Sequence, residues 1–256
     1  MRTQKIFFTN RSNIELSAYL DSPDSVQVTA YAVFAHCFTC SKNIKSYSHI
    51  SRALTKQGIA VLRPDFTGIG ESKGIFSETN FQTNINDLLD AANYLELNHQ
   101  APQLLIGHSL GGLATLAASQ SIPSSRAVAL IGTPDETIHL YQLLSGDKLS
   151  KKNPHKREIV LGGKTFEISD SLLNSLNNCN TRPIVESLNQ PLLILHSPLD
   201  DTVSLGSAER NFASAKQPKN FICLENADHL LSNEKHARYA GEVIATWATP
   251  YMQKPQ

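Results

Sequence analysis

The segment Gly107-His108-Ser109-Leu110-Gly111-Gly112 follows the apolar run QLLIG and leads into LATLAAS, a good helix sequence. Strand, tight turn and helix form the context in which the serine of a G-x-S-x-G pattern becomes a nucleophile. The glycines let backbone segments crowd together, and the serine projects from a strained turn at the end of a sheet. The N-terminus of the following helix adds a field that favours negative charge. A Gly-rich strand-to-helix turn also binds phosphates, and a short pattern with two glycines arises by chance; the flanking strand and helix favour the nucleophile.

A serine hydroxyl attacks only when a base takes its proton, and the base needs a carboxylate to orient it. For this kind of turn the partners are expected in the order Ser, Asp, His. LLILHSPLDDTV closes an apolar run with Asp200 and Asp201, and NADHLLS places His229 after the next run. Asp200 leaves the strand end first and is the expected acid, with Asp201 a solvated residue or a helix cap. His229 alone would pass for a loop histidine, and Asp228 for a turn residue; the place of His229 after the last strand makes it the expected base.

These residues need a scaffold, and the apolar pattern provides one. Strands are expected at 14 to 20, 30 to 35, 59 to 64, 103 to 107, 127 to 132, 191 to 197 and 220 to 226. The middle ones are apolar at consecutive positions, as strands covered on both faces are. Helical spacing falls between them, near 44 to 57, 81 to 97, 109 to 121, 205 to 215 and 233 to 249. Alternation of this kind predicts an α/β fold, a mostly parallel central sheet with helices on both faces, and ligands at the carboxyl ends of its strands.

One stretch interrupts the alternation. From about 133 to 188 there is no strong buried strand, but EIVLGGKTFEI carries a Gly162-Gly163 hairpin signal that puts Ile159, Leu161, Phe166 and Ile168 on one face. The expectation is a single domain over residues 1 to 256 with a small cap inserted there. Lys148, Lys151, Lys152, Lys156 and Arg157 make a basic run in that cap, more readily a solvated face than an anion trap.

Lys plus Arg and Asp plus Glu both count 23, so the formal net charge is zero and no electrostatic footprint for nucleic acid exists. The N-terminal apolar run IFF is too short for a signal-peptide core, and no window approaches the roughly 20 apolar residues of a membrane span. A cytoplasmic protein acting on a small molecule is expected. Its four cysteines, Cys37, Cys40, Cys179 and Cys223, then default to thiols.

Cys37 and Cys40 form a C-x-x-C directly after the run AYAVFA. Zinc would need a second ligand pair, and neither Cys179 nor Cys223 has a Cys or His at matching short spacing. A redox pair survives, because this motif works after a strand. The same place is where a loop supplying an oxyanion N–H is expected, its companion coming from the residue after the nucleophile.

Taken together, FAHCFTCSKN, DFTGIGES, LLIGHSLGGLA, LLILHSPLDDTV and ADHLL resemble the α/β-hydrolase superfamily, and within it the hydrolase module fused to, or standing beside, OsmC-type thiol peroxidases. The likeness runs over nearly the whole chain. It implies the triad Ser109, Asp200 and His229, oxyanion N–H groups from Phe38 and Leu110, and a loop braced by His36, with Gly107 and Gly111 shaping the turn. Cys37 stands where many members have glycine, so it must avoid positive φ or bear strain. Oxidation of Cys37 and Cys40 would be expected to deform that loop.

The expected activity is hydrolysis of a carboxylic ester or thioester through an acyl-enzyme, with no metal or organic cofactor. The resemblance to serine aminopeptidase-like hydrolases keeps amide hydrolysis open, and Asp135 and Glu136 at the start of the cap are candidate amine-binding acids. A thiol-redox or binding protein using Cys37 and Cys40 on the same fold is the alternative from another class. An OsmC-type protein acting in trans is a conceivable partner.

Overall fold

Alternate residues of the central strands feed two different cores. Val33, Ala35, Ala60, Leu62 and Leu105 pack into one cluster, while Ala32, Phe34, Ile59, Val61, Leu104 and Ile106 pack into another on the opposite face. Consecutive apolar residues are therefore the signature of a sheet covered on both sides, and each fully buried Leu or Ile stabilises it by about 1.5–3 kcal/mol. The computed structural model describes residues 1–38, 40–137, 156–161, 164–177 and 181–252.

The described strands of the sheet are β1 (Arg2–Thr9), β2 (Glu15–Ser22), β3 (Ala30–Ala35), β4 (Ile59–Pro64), β5 (Leu104–His108), β6 (Ala127–Ile131), β9 (Leu192–His196) and β10 (Lys219–Cys223). They lie in the order β1-β2-β4-β3-β5-β6-β9-β10. From β4 to β10 all pairs are parallel, whereas β1 with β2 and β2 with β4 are antiparallel. Helices α1 (Lys45–Lys56) and α7 (Glu234–Met252) supply the core on one face, and α2 (Phe81–Asn98) and α3 (Leu110–Ser119) that on the other. The parallel order brings the carboxyl ends of β3, β5, β6, β9 and β10 to one edge, where the residues discussed below sit.

β1 is the strand that apolar runs do not disclose. In RTQKIFFT only Ile6 and Phe8 are buried, because this edge strand has one face in solvent. Helix α2 begins where its spacing predicts, since Asn80 and Thr83 form a reciprocal cap: Asn80 Oδ1 accepts from Thr83 N at 3.0 Å and Thr83 Oγ1 from Asn80 N at 3.2 Å.

Between β6 and β9 the chain leaves the sheet. It forms the hairpin β7 (Lys156–Leu161) and β8 (Lys164–Ser169), then α4 (Asp170–Asn177) and α5 (Arg182–Ser187), before α6 (Leu205–Ser214) follows β9. The register pairs Ile159 with Phe166 and Arg157 with Ile168. Ile168 is buried in the core, and Phe166 packs at its margin. Gly162, Gly163, Lys148, Lys151, Lys152 and Cys179 lie outside the described residues.

Candidate active site

Ser109 directly follows β5 with φ 54° and ψ −125°, a conformation in which a side chain is strained. The strain is held from both sides: Ser109 N–H donates to Ile131 O at 2.9 Å, and Gly112 N–H to Ser109 O at 2.9 Å. A Cβ on Gly111 would fall 2.2 Å from His36 O, and one on Gly107 would fall 2.4 Å from Gly112 Cα. Only glycines let the first turn of α3 press against both β5 and the end of β3. That contact sets Leu110, whose N–H belongs to the unpaired first turn of the helix, beside the loop that starts at His36.

The loop is fixed through its backbone. His36 Nε2 accepts from Phe66 N–H at 3.1 Å, which leaves Nδ1–H to donate to Cys37 O at 2.8 Å. Burial pushes the His36 imidazole pKa down, so the ring stays neutral and these directions hold. The carbonyl of Cys37 and the N–H of Phe38 belong to one planar trans peptide and point opposite ways. Fixing one therefore aims the other. Cys37 is joined to Cys40 by a disulfide, and Cys40 N–H donates back to Cys37 O at 3.2 Å. Among the described residues the non-glycine positions with positive φ are Asn13, Ser109, Asn226 and Leu231, so Cys37 adopts an ordinary conformation at its glycine-like position.

His229 Nδ1 lies 2.8 Å from Asp200 Oδ2. The second carboxylate oxygen, Oδ1, accepts from Thr202 N at 2.9 Å and Val203 N at 2.8 Å. Burial alone would raise the Asp200 pKa, but the hydrogen bond and charge of His229, with the N–H groups of Val203 and Thr202, outweigh it and hold the carboxyl below its ordinary range. Asp201 is exposed and accepts from Thr202 Oγ1 at 3.1 Å. The His229 ring packs 4.9 Å from that of His108, the residue before Ser109.

Three residues with no role in the motifs join the site. Tyr47, on α1, accepts from Cys37 N–H at 3.0 Å and contacts His108 Nδ1 at 2.9 Å; a tyrosine at a helical core position gives no signal in sequence. Gly132 directly follows β6, at φ 52° against the Asp200–His229 pair, and its only signal is a glycine closing an apolar run. Lys42 is fully buried and ion-paired with Asp65, which also accepts from Lys42 N at 2.7 Å and Glu71 N at 3.0 Å. Asp65 thus anchors the loops at 41–43 and 65–72.

A small cavity opens beside the candidate oxyanion groups, lined by Phe38, Phe66, Ile69, Phe76, Asn84 and Leu110 among others. Phe38 packs on Phe76 at 5.7 Å and Phe76 on Phe166 of β8 at 5.8 Å, so the inserted hairpin reaches the same wall. Asp135 is engaged by Arg210, at 3.0 Å from Nη2, and Glu136 is exposed. Among the described residues no group of three or more His, Cys, Asp or Glu could hold a metal ion, and no helix is long and apolar enough to cross a membrane.

Comparison with known proteins agrees with this fold. The family model described as serine aminopeptidase, S33 matches residues 29–139. The esterase domain of a Rhodothermus marinus protein is 43% identical, covers 99% of this chain and 100% of its own, and superposes with a TM-score of 0.83. Est1E from Butyrivibrio proteoclasticus, solved with ferulic acid bound, shares the fold at 18% identity over 97% of this chain and 100% of its own, with a TM-score of 0.81. The YfhR protein of Salmonella typhi is 24% identical over 78% of this chain, which spans 65% of that protein's length. The chain belongs to the α/β-hydrolase superfamily and is an esterase-like hydrolase.

Proposed function

We propose that the chain is a serine hydrolase that cleaves a carboxylic ester or thioester of a small molecule. The observation that carries this reading is the Asp200–His229 hydrogen bond, set next to His108, together with a serine held at positive φ directly after His108. His229 takes the Ser109 proton as Oγ attacks the carbonyl carbon, and Asp200 holds the imidazolium that forms. The N–H groups of Phe38 and Leu110 stabilise the oxyanion. The proton then passes from His229 to the leaving alcohol or thiol, and water, deprotonated by the same imidazole, releases the acyl group.

The segment at about 133–188 acts as a cap in this reading, its Phe166 closing the aromatic wall of the acyl site. Of the two acids expected to bind a substrate amine, Asp135 already holds Arg210, which leaves Glu136 as the acid that an N-terminal amide reading would use. A cytoplasmic location and an OsmC-type partner rest on the sequence reading alone.

The test is labelling by a fluorophosphonate followed by peptide mapping. Modification of Ser109 in the native chain and its loss in His229→Ala is the expected result. An unlabelled, folded native protein under both reducing and oxidising conditions would refute an activated serine.

A further inference from the structure

We infer that Tyr47 and His108 are positioning residues that tie the backbone of the oxyanion loop to the backbone of the base, so that both halves of the active site are set by one buried hydrogen-bond relay. The inference rests on the serine-hydrolase reading above. The relay runs from Cys37 N–H to Tyr47 Oη at 3.0 Å, from Tyr47 Oη to His108 Nδ1 at 2.9 Å, and from His108 Nε2 to His229 O at 2.8 Å.

Its directions are forced. A backbone N–H only donates, so Tyr47 Oη is the acceptor at Cys37. A carbonyl only accepts, so His108 Nε2 carries the ring proton at His229. With one proton on the neutral ring, Nδ1 is bare and takes the single hydroxyl proton of Tyr47. Each donor and acceptor is used once, and no water is needed. Cys37, Tyr47 and His108 are 4%, 2% and 1% exposed, which makes an unmade bond in the chain costly.

Both ends of the relay touch the chemistry. Cys37 is gripped at its N–H by Tyr47 and at its carbonyl by His36, which together set the peptide that presents Phe38 N–H. At the other end His108 holds the carbonyl of His229 itself, while Asp200 holds the ring. The distance between the oxyanion donor and the base is thus spanned by three hydrogen bonds through α1 and the residue before the nucleophile. Misplacement of either end by about an ångström costs on the order of a hundredfold in rate.

The experiment uses the full chain, a short-chain p-nitrophenyl ester, and active sites titrated with a fluorophosphonate so that kcat counts only competent molecules. Tyr47→Phe is expected to lower kcat about tenfold with KM changed less than about twofold, and to slow fluorophosphonate labelling by a similar factor. His108→Asn keeps an acceptor near the Nδ1 position, and His108→Gln keeps a donor near Nε2, so each preserves one arm. Tyr47→Phe combined with His108→Gln should lose no more than the worse single variant, because residues acting as one unit are non-additive.

A folded Tyr47→Phe with kcat and labelling within about twofold of native, or losses that multiply in the double variant, would overturn the relay. If Tyr47→Phe does not fold, the two His108 variants decide: unchanged kcat per titrated site in both overturns it, and reduced kcat supports it. Ser109→Ala separates the two readings. Activity retained in Ser109→Ala refutes the serine hydrolase; activity abolished there but intact in Tyr47→Phe refutes only the relay.

Discussion

The α-carbon of Gly132 lies against the imidazole of His229: a Cβ built on this glycine would stand 3.3 Å from Nδ1, and 3.2 Å from Oδ2 of Asp200. The residue directly after β6 thus lies against the Asp200–His229 pair. Its φ of 52° is left-handed, which any other residue adopts at a cost of roughly 1–2 kcal/mol.

Gly132→Ala therefore combines a modest loss of stability with a direct push on the proposed acid–base pair, Asp200 and His229. Its kcat is expected to fall on the order of tenfold or more, with a stability loss of about 1–2 kcal/mol in urea unfolding. Steady-state kinetics on folded protein checks this. Native kcat in the variant would mean that the pair has slack and that Gly132 serves the backbone alone.

The Cys37–Cys40 bridge closes a turn whose Cys37 keeps its hydrogen bonds to His36 and Tyr47. Sequence alone predicts that such a bridge would deform the oxyanion loop. In the structure it coexists with the aimed peptide, so the expected direction reverses. Exchange with an added dithiol, whose own sulfurs take up the bridge, should loosen the turn and lower kcat several-fold, on the order of threefold. Reoxidation should restore it, and Cys37→Ala with Cys40→Ala should respond to neither treatment. Equal turnover before and after, with the thiol state verified by alkylation and mass spectrometry, would refute redox control.

His108 makes stability depend on pH. Burial and the neighbouring His229 push its imidazole pKa down to about 3, from an ordinary 6.5. The unfolded chain takes up a proton at this residue as pH falls through the ordinary value, while the folded chain does not until about 3. The contribution is complete above the ordinary pKa and drains away on acidification, by about 1.4 kcal/mol per pH unit within that window. His36, also pushed down by burial, adds in the same direction. Urea unfolding from about pH 7 to about pH 5 should show stability falling, and His108→Gln should flatten that slope by about one proton's worth. An unchanged slope in the variant would show that His108 titrates normally in the folded state.

Legibility in the sequence followed the physics of each residue. The strand that ends at Ala35 and the turn at Ser109 are written in local signals, a fully apolar run and a glycine-flanked serine, so both stand where the pattern puts them. Asp200 and His229 were readable because each follows a strand end, and parallel strands deliver such residues to one edge. β1 was not, since an edge strand with two buried residues lacks the pattern that marks a covered strand. Tyr47 and Lys42 were illegible for another reason. Their roles depend on partners 61 and 23 residues away, and a lysine reads as solvated until Asp65 is folded against it.

The aromatic line from Phe38 through Phe76 to Phe166 predicts how substrate length is read. Phe166 sits on β8 of the inserted hairpin, so it can be shortened without touching the sheet, Ser109 or the relay. Phe166→Ala removes a wall of the proposed acyl site and leaves room that a longer acyl chain fills; each added methylene buried there is worth about 0.8 kcal/mol, close to fourfold in binding. The ratio of kcat/KM for hexanoyl over acetyl p-nitrophenyl esters should therefore rise several-fold in the variant, chiefly through KM for the longer ester. Kinetics on an ester series measures it. If the ratio stays at the native value while the variant remains folded, the acyl chain leaves the site by another route and the hairpin does not set its length.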